Sequence, residues 1–218
     1  MQSIHQGEVL EKIGELIDKS LTKNEQYLDF HTNNQFKYYT FNSLFKTEVA
    51  KVFEEGGIYS IKIRTVDEQL AEYFTKSLAH EYTEYIKSLT TEIRTLKPRM
   101  IDQLYSITPI LMKTDKGYWK GNLSLEDYEM RIKINLIKKY NQFFNTKLNE
   151  DFQLFTRIEF NNHKPIAVSY KNIHLLGDKL TLYIAENDTA QKLAFFALGA
   201  GIGEMGSRGF GFMNYKPM

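Results

Sequence analysis

The sequence predicts an α+β protein of two tandem units. Its 218 residues suffice for two domains of roughly 100 residues each. Hydrophobic residues make up 42%, enough to build real cores. A helix–strand–strand–helix–strand order runs through the first half and recurs, with added strands, in the second. That order is a ferredoxin-like (RRM-like) unit, the first one short of or lacking its initial β-strand. The chain begins almost at its first helix, so residues 1–5 either supply a very short strand or leave a sheet edge bare. The units are read as 1–100 and 101–218, joined near 98–104.

Residues 7–22 place Val9, Ile13, Leu16, Ile17 and Leu21 on one helical face. A polar loop is expected next, then an aromatic-rich strand over 36–45. Gly56 and Gly57 punctuate, and 58–65 reads as a half-buried strand. Asp67 reads as the N-cap of a helix over 68–81 that turns Leu70, Phe74 and Leu78 inward. An extended stretch over 85–96, ending near Pro98, closes the unit. In the second unit, 105–114 and 116–121 are expected to pair as strands about Lys116 and Gly117. A helix over 124–145 follows, with Ser124 as N-cap and Asp127 at N3. Strands are expected over 152–160, 167–177 and 179–186. Asp188 is read as the cap of a helix over 189–201, and 210–215 as the final strand.

The chain has no cysteine, which removes disulfides, thiol catalysis and zinc ribbons. No apolar run reaches about 18 residues, and the start lacks the apolar stretch of a signal peptide. A cytoplasmic protein with no membrane partner is therefore expected. Net charge is +1, from 28 Lys and Arg against 27 Asp and Glu, so global charge does not argue for nucleic acid. The distribution says more: acidic residues gather at 48–92, and basic ones become frequent after Lys113, as in 131–140 and the acid-free 206–218.

Six of the thirteen glycines, at 199, 201, 203, 206, 209 and 211, fall in one short segment. Such density suits a backbone that needs positive φ or close approach to a ligand. Its exposed N–H groups would bind an anion, and Arg208 would add a bidentate phosphate contact. It is no Walker loop, since no Gly-Lys-Ser/Thr follows a strand. Nor is it a dinucleotide fingerprint, because helix precedes and strand follows. A tight helix-to-strand connection with bulges stays open as the plainer account.

The segment resembles the C-terminal signature of the RAMP superfamily, and of its CRISPR-associated protein six family in particular. That signature runs roughly Gly-φ-Gly-Glu-Lys-x-Ser-φ-Gly-Phe-Gly, with φ hydrophobic. Gly201 to Gly211 agree except that Met205 replaces the lysine and Arg208 takes a hydrophobic place, so a cation is kept but moved. Thr108-Pro109-Ile110 resembles the family's opening of the second unit, and 177–203 its approach to the glycine loop.

The resemblance implies a metal-independent endoribonuclease that cleaves CRISPR repeat RNA within its precursor, with no cofactor. Attack by the 2′-OH would leave a 2′,3′-cyclic phosphate and a 5′-OH. Such cleavage needs a base, an acid and a cation near the phosphate. The histidines are His5, His31, His80, His163 and His174. The family often carries a histidine after helix one, then a lysine and an aromatic-Thr strand, which His31 and Lys37-Tyr38-Tyr39-Thr40-Phe41-Asn42-Ser43 match. By resemblance His31 is the candidate acid/base and Lys37 the candidate electrostatic stabiliser. Some members use a tyrosine in helix one. None lies between Met1 and Asn24 here, so Tyr39 or Tyr27 becomes the candidate.

RNA contacts are expected at Gly201, Gly203, Ser207, Arg208, Gly209 and Gly211, and from Arg131, Lys133, Lys138 and Lys139, where a solvated helix face is the alternative. Effector-complex subunits and a homodimer are left open as partners. Two other readings stand beside this one: a non-catalytic RAMP-type RNA binder or complex subunit, and a nucleotide-binding enzyme using the tail as a phosphate loop.

Overall fold

A computed structural model describes residues 1–33, 35–45, 51–171 and 173–218, with the backbone alone at 30–32. The first unit opens with β1 (Ile4–His5), which pairs antiparallel with β3 (Val52–Phe53). The initial strand is thus present, two residues long. Helix α1 (Val9–Leu21) buries the stripe read from its periodicity, with Val9, Ile13 and Ile17 inaccessible to solvent. The expected polar loop is instead a second helix, α2 (Glu25–Thr32), whose N-cap Asn24 accepts a hydrogen bond from the Gln26 N–H. Strands β2 (Tyr39–Phe41) and β4 (Ile63–Thr65) pair antiparallel. Helix α3 (Glu68–Ser77) starts at the expected cap, Asp67 accepting from the Leu70 N–H, and turns Leu70 and Phe74 inward, with Leu78 buried in the 3-10 turn that follows.

The stretch over 85–96 forms no ladder among the described residues. One bridge, Tyr82 to Lys87, is all the pairing around it. Leu89 and Ile93 stand 64% and 54% exposed, so no buried face fixes a register there.

The second unit contains β5 (Ile101–Ser106), α4 (Leu125–Phe144), β6 (Phe155–Phe160), β7 (Ile166–Tyr170), β8 (Ile173–Gly177), β9 (Leu180–Ile184), α5 (Asp188–Ala200) and β10 (Met213–Pro217). Its sheet is antiparallel in the order β10-β5-β9-β6, a ferredoxin-like arrangement with β7 and β8 inserted as a hairpin. Ser124 caps α4 as expected and binds the Asp127 N–H. Several elements differ from expectation, among them β6 and β10, which begin three residues later than expected. The first strand starts earlier and stops before Pro109, beyond which Ile110 and Leu111 make single bridges to Asp178 and Glu204. Residues 116–121 form no strand; Thr114 and Gly117 close a tight turn with Gly117 at φ 94°. The expected strand over 167–177 is a hairpin that bends at Lys171, φ 46°. Helix α5 is capped by Asn187, not Asp188.

Two cores result. One lies between the four-stranded sheet, α4 and α5; the other surrounds α1, β2 and α3 and takes in Leu111, Val168 and Phe210 from the second half. Hairpin β7–β8 reaches back to α1, Ser169 donating to the Gly7 carbonyl at 3.2 Å. The halves therefore share a seam rather than a linker. No helix among the described residues is long and apolar enough to cross a membrane.

Candidate nucleic-acid interface and active site

The seam opens into a cleft of about 570 Å³, walled by 35–39 ahead of and into β2, by Lys139 and Gln142 of α4, by Tyr170, and by loop residues 203–208. Three exposed or half-buried cations line it, Lys37, Lys113 and Arg208, against Glu204, with Lys139 buried beneath the loop. Such a surface suits a polyanion.

One wall carries backbone strain. Tyr38 sits at φ 51°, in the left-handed region, at a cost of about 1–2 kcal/mol for a residue with a Cβ. Its carbonyl is held by the Thr65 hydroxyl at 2.8 Å and the Val66 N–H at 3.3 Å, and its ring meets Phe143 of α4 edge-on. Strain fixed from both sides is common where a chain presents functional groups, and here it lies between Lys37 and Tyr39.

Lys37 donates to the Asn33 carbonyl at the end of α2, 2.7 Å away. Burial lowers its pKa, Arg208 nearby lowers it further, and Asp18 opposes both. His31 lies two residues before Asn33, in the last turn of α2 rather than in a loop; its side chain lies outside the described residues. Tyr39 is 2% exposed. Its ring packs on Phe74 and its hydroxyl bonds Ser207, while burial and Asp18 push its pKa up. It is a neutral phenol bonded to Ser207, and both residues line the cleft. Tyr27 is buried in the first unit's core, its ring tilted 38° against that of Tyr73.

Arg208 pairs with Asp18 of α1, the two side chains 23% and 27% exposed. Asp18 carried no sequence signal: it lies 190 residues from Arg208, on an ordinary amphipathic helix. Asp18, Lys37, Tyr39, Ser207 and Arg208 thus form one electrostatic cluster, drawn from both halves.

The glycines divide into two sets. Gly201, Gly209 and Gly211 have positive φ and donate inward, to the carbonyls of Ala197 (2.9 Å), Gly206 (2.9 Å) and Pro109 (2.8 Å). A Cβ at Gly211 would overlap the Ile202 carbonyl, and one at Gly209 would lie 2.6 Å from Phe41. These three shape the loop through inward hydrogen bonds and close packing. Gly203 also needs its bareness, with the Leu111 carbonyl 2.6 Å from a Cβ, yet it lines the cleft. The N–H groups of Gly203, Met205, Gly206 and Ser207 donate to no acceptor among the described residues. Met205 itself is left-handed, φ 58°, and successive N–H groups turned this way form an anion-binding concavity.

On α4, Arg131 and Lys138 are exposed. Lys133 is spent on the carbonyls of Glu150 and Phe152. Lys139 corrects the expectation most: it is 4% exposed, and its ammonium binds the carbonyls of Ala200, Gly201 and Gly203. It contacts the loop from beneath and presents no charge at the surface.

The family model described as CRISPR associated protein Cas6, C-terminal, matches residues 94–215. The chain belongs to the Cas6 family. It is 22% identical over 213 residues to CRISPR-associated endoribonuclease Cas6 2 of Methanocaldococcus jannaschii, covering 89% of this chain and 87% of that one. Among solved structures, a CRISPR associated protein Cas6 superposes with a TM-score of 0.72 at 20% identity, over 99% of this chain and 94% of the other. A RAMP protein described as binding different RNA substrates gives 0.73 at 15% identity, over 99% and 96%. At such identities the superpositions speak for the tandem ferredoxin-like fold.

Proposed function

We propose that this Cas6-family chain is an endoribonuclease that cuts CRISPR repeat RNA in its precursor transcript, without a catalytic metal. The observation that carries this reading is the convergence, in one cationic cleft, of open loop N–H groups with Lys37 at the end of the helix bearing His31. The relative named as a CRISPR-associated endoribonuclease Cas6 supports it.

In this reading the loop and Arg208 hold phosphates, and His31 takes the proton from a 2′-OH. The 2′ oxygen attacks phosphorus as the bond to the 5′ oxygen breaks, giving a 2′,3′-cyclic phosphate. Lys37 stabilises the charged phosphorane and protonates the leaving 5′ oxygen, a step that its lowered pKa favours. Tyr39 orients Ser207 in the loop.

The test is cleavage of a repeat RNA in excess EDTA, with the product ends analysed. A cyclic phosphate and a 5′-hydroxyl are expected. Activity that disappears with EDTA, or a 5′-phosphate product, contradicts the mechanism. Tight binding with no cleavage under any condition indicates the RAMP-type RNA binder instead, the reading that fits the absence of a tyrosine from α1.

A further inference from the structure

Helix α5 ends at Ala200 with no basic residue in its last turn, so its terminal carbonyls lack the usual local cation. Lys139, from α4, supplies one. Its Nζ lies 3.4 Å from the Ala200 carbonyl, 2.9 Å from that of Gly201 and 2.7 Å from that of Gly203. An ammonium has three N–H donors and can serve all three acceptors. A neutral amine has two and turns its lone pair toward the third oxygen. The same three residues lead directly into 203–207, which line the cleft and whose N–H groups, that of Glu204 excepted, donate to no acceptor among the described residues.

We propose that Lys139 is a positioning residue for RNA: its ammonium sets the curvature of the loop from Ala200 to Gly203, and so aims the N–H groups of Gly203, Met205, Gly206 and Ser207 at a phosphate. This rests on the RNA reading above but concerns a different act, the shaping of the cradle by a side chain that does not touch the ligand.

The geometry makes the cradle sensitive to pH. Burial pushes the Lys139 pKa down to about 7, with Glu204 in the loop opposing. The other charged groups around the cleft are Lys37 before β2, Lys113 after β5 and Arg208; the ring of Phe36 lies 5.9 Å from Nζ. The signs of two effects differ. An unfolded lysine keeps its proton up to about 10.5, so between that value and about 7 the unfolded chain binds more protons, and fold stability from this group rises with pH. RNA affinity falls through about pH 7, as the third carbonyl loses its donor. Loss of a charge-assisted hydrogen bond suggests a fall of about tenfold.

Two measurements test this. The first is hydrogen exchange of peptide 199–212 in the RNA-free protein, corrected for intrinsic rate, from pH 6 to 8.5. The second is the affinity of a repeat RNA blocked by a 2′-deoxy nucleotide at the cut. In the wild type, loop exchange should rise and affinity should fall about tenfold across the range. In Lys139→Met, exchange should be high and affinity low throughout, with no step. In Glu204→Gln the step should move to lower pH, which keeps the proposal testable if Lys139→Met does not fold. A step retained in Lys139→Met, or unmoved in Glu204→Gln, overturns the proposal. A wild type whose loop exchange follows pH as expected, yet binds no RNA at any pH, overturns the RNA reading and leaves the positioning of the loop established.

Discussion

The two halves of the chain use one fold with unequal rigour. The second has a four-stranded sheet with strands of five or six residues, while the first, among the described residues, is assembled from pairs of strands only two or three residues long. The first half also borrows Leu111, Val168 and Phe210 from the second to close its core. The proposed division of labour follows that inequality. The well-formed half holds RNA with a loop braced by packing, and the sparser half offers the cutting residues from the end of a short helix and a strained strand entry.

If the first core depends on the second half, Phe210→Ala should be the most damaging change. Phe210 is 1% exposed, and its truncation should cost about 3–5 kcal/mol, read as a lower midpoint in urea. A loss below about 1 kcal/mol would mean that the first core closes without the loop. Lys37→Met tests the cutting wall. Cleavage in single-turnover assays should drop about 10²- to 10³-fold with binding changed little; a loss confined to binding would return Lys37 to the holding surface. The smallest effect is expected from Arg131→Gln with Lys138→Gln. If both meet single-stranded phosphates, the slope of log affinity against log salt should flatten by about 1.4. An unchanged slope would leave that helix face as solvated surface.

Much of this was legible in the sequence. The stripe of α1 and the caps Asp67 and Ser124 followed from periodicity and N-cap chemistry, because those signals are local. The hairpin bend at Lys171 was not, since it depends on a left-handed lysine where glycine or asparagine is the usual sign. The 85–96 stretch read as a strand because its residues suit one, yet no neighbour provides a ladder. Lys139 is readable in principle: Tyr128, Ile132, Leu136 and Lys139 continue one buried stripe of α4. The Asp18–Arg208 pair had no signal at all, because only the seam brings α1 beside the loop. The glycines could be read as a loop, but not sorted into those that pack and those that face the cleft.

His31→Ala tests the central claim, that one half cuts what the other holds. With a repeat RNA, the account predicts cleavage slowed about 10²- to 10⁴-fold, while affinity for the 2′-deoxy-blocked RNA stays near wild type. Cleavage at the wild-type rate with binding intact would contradict it.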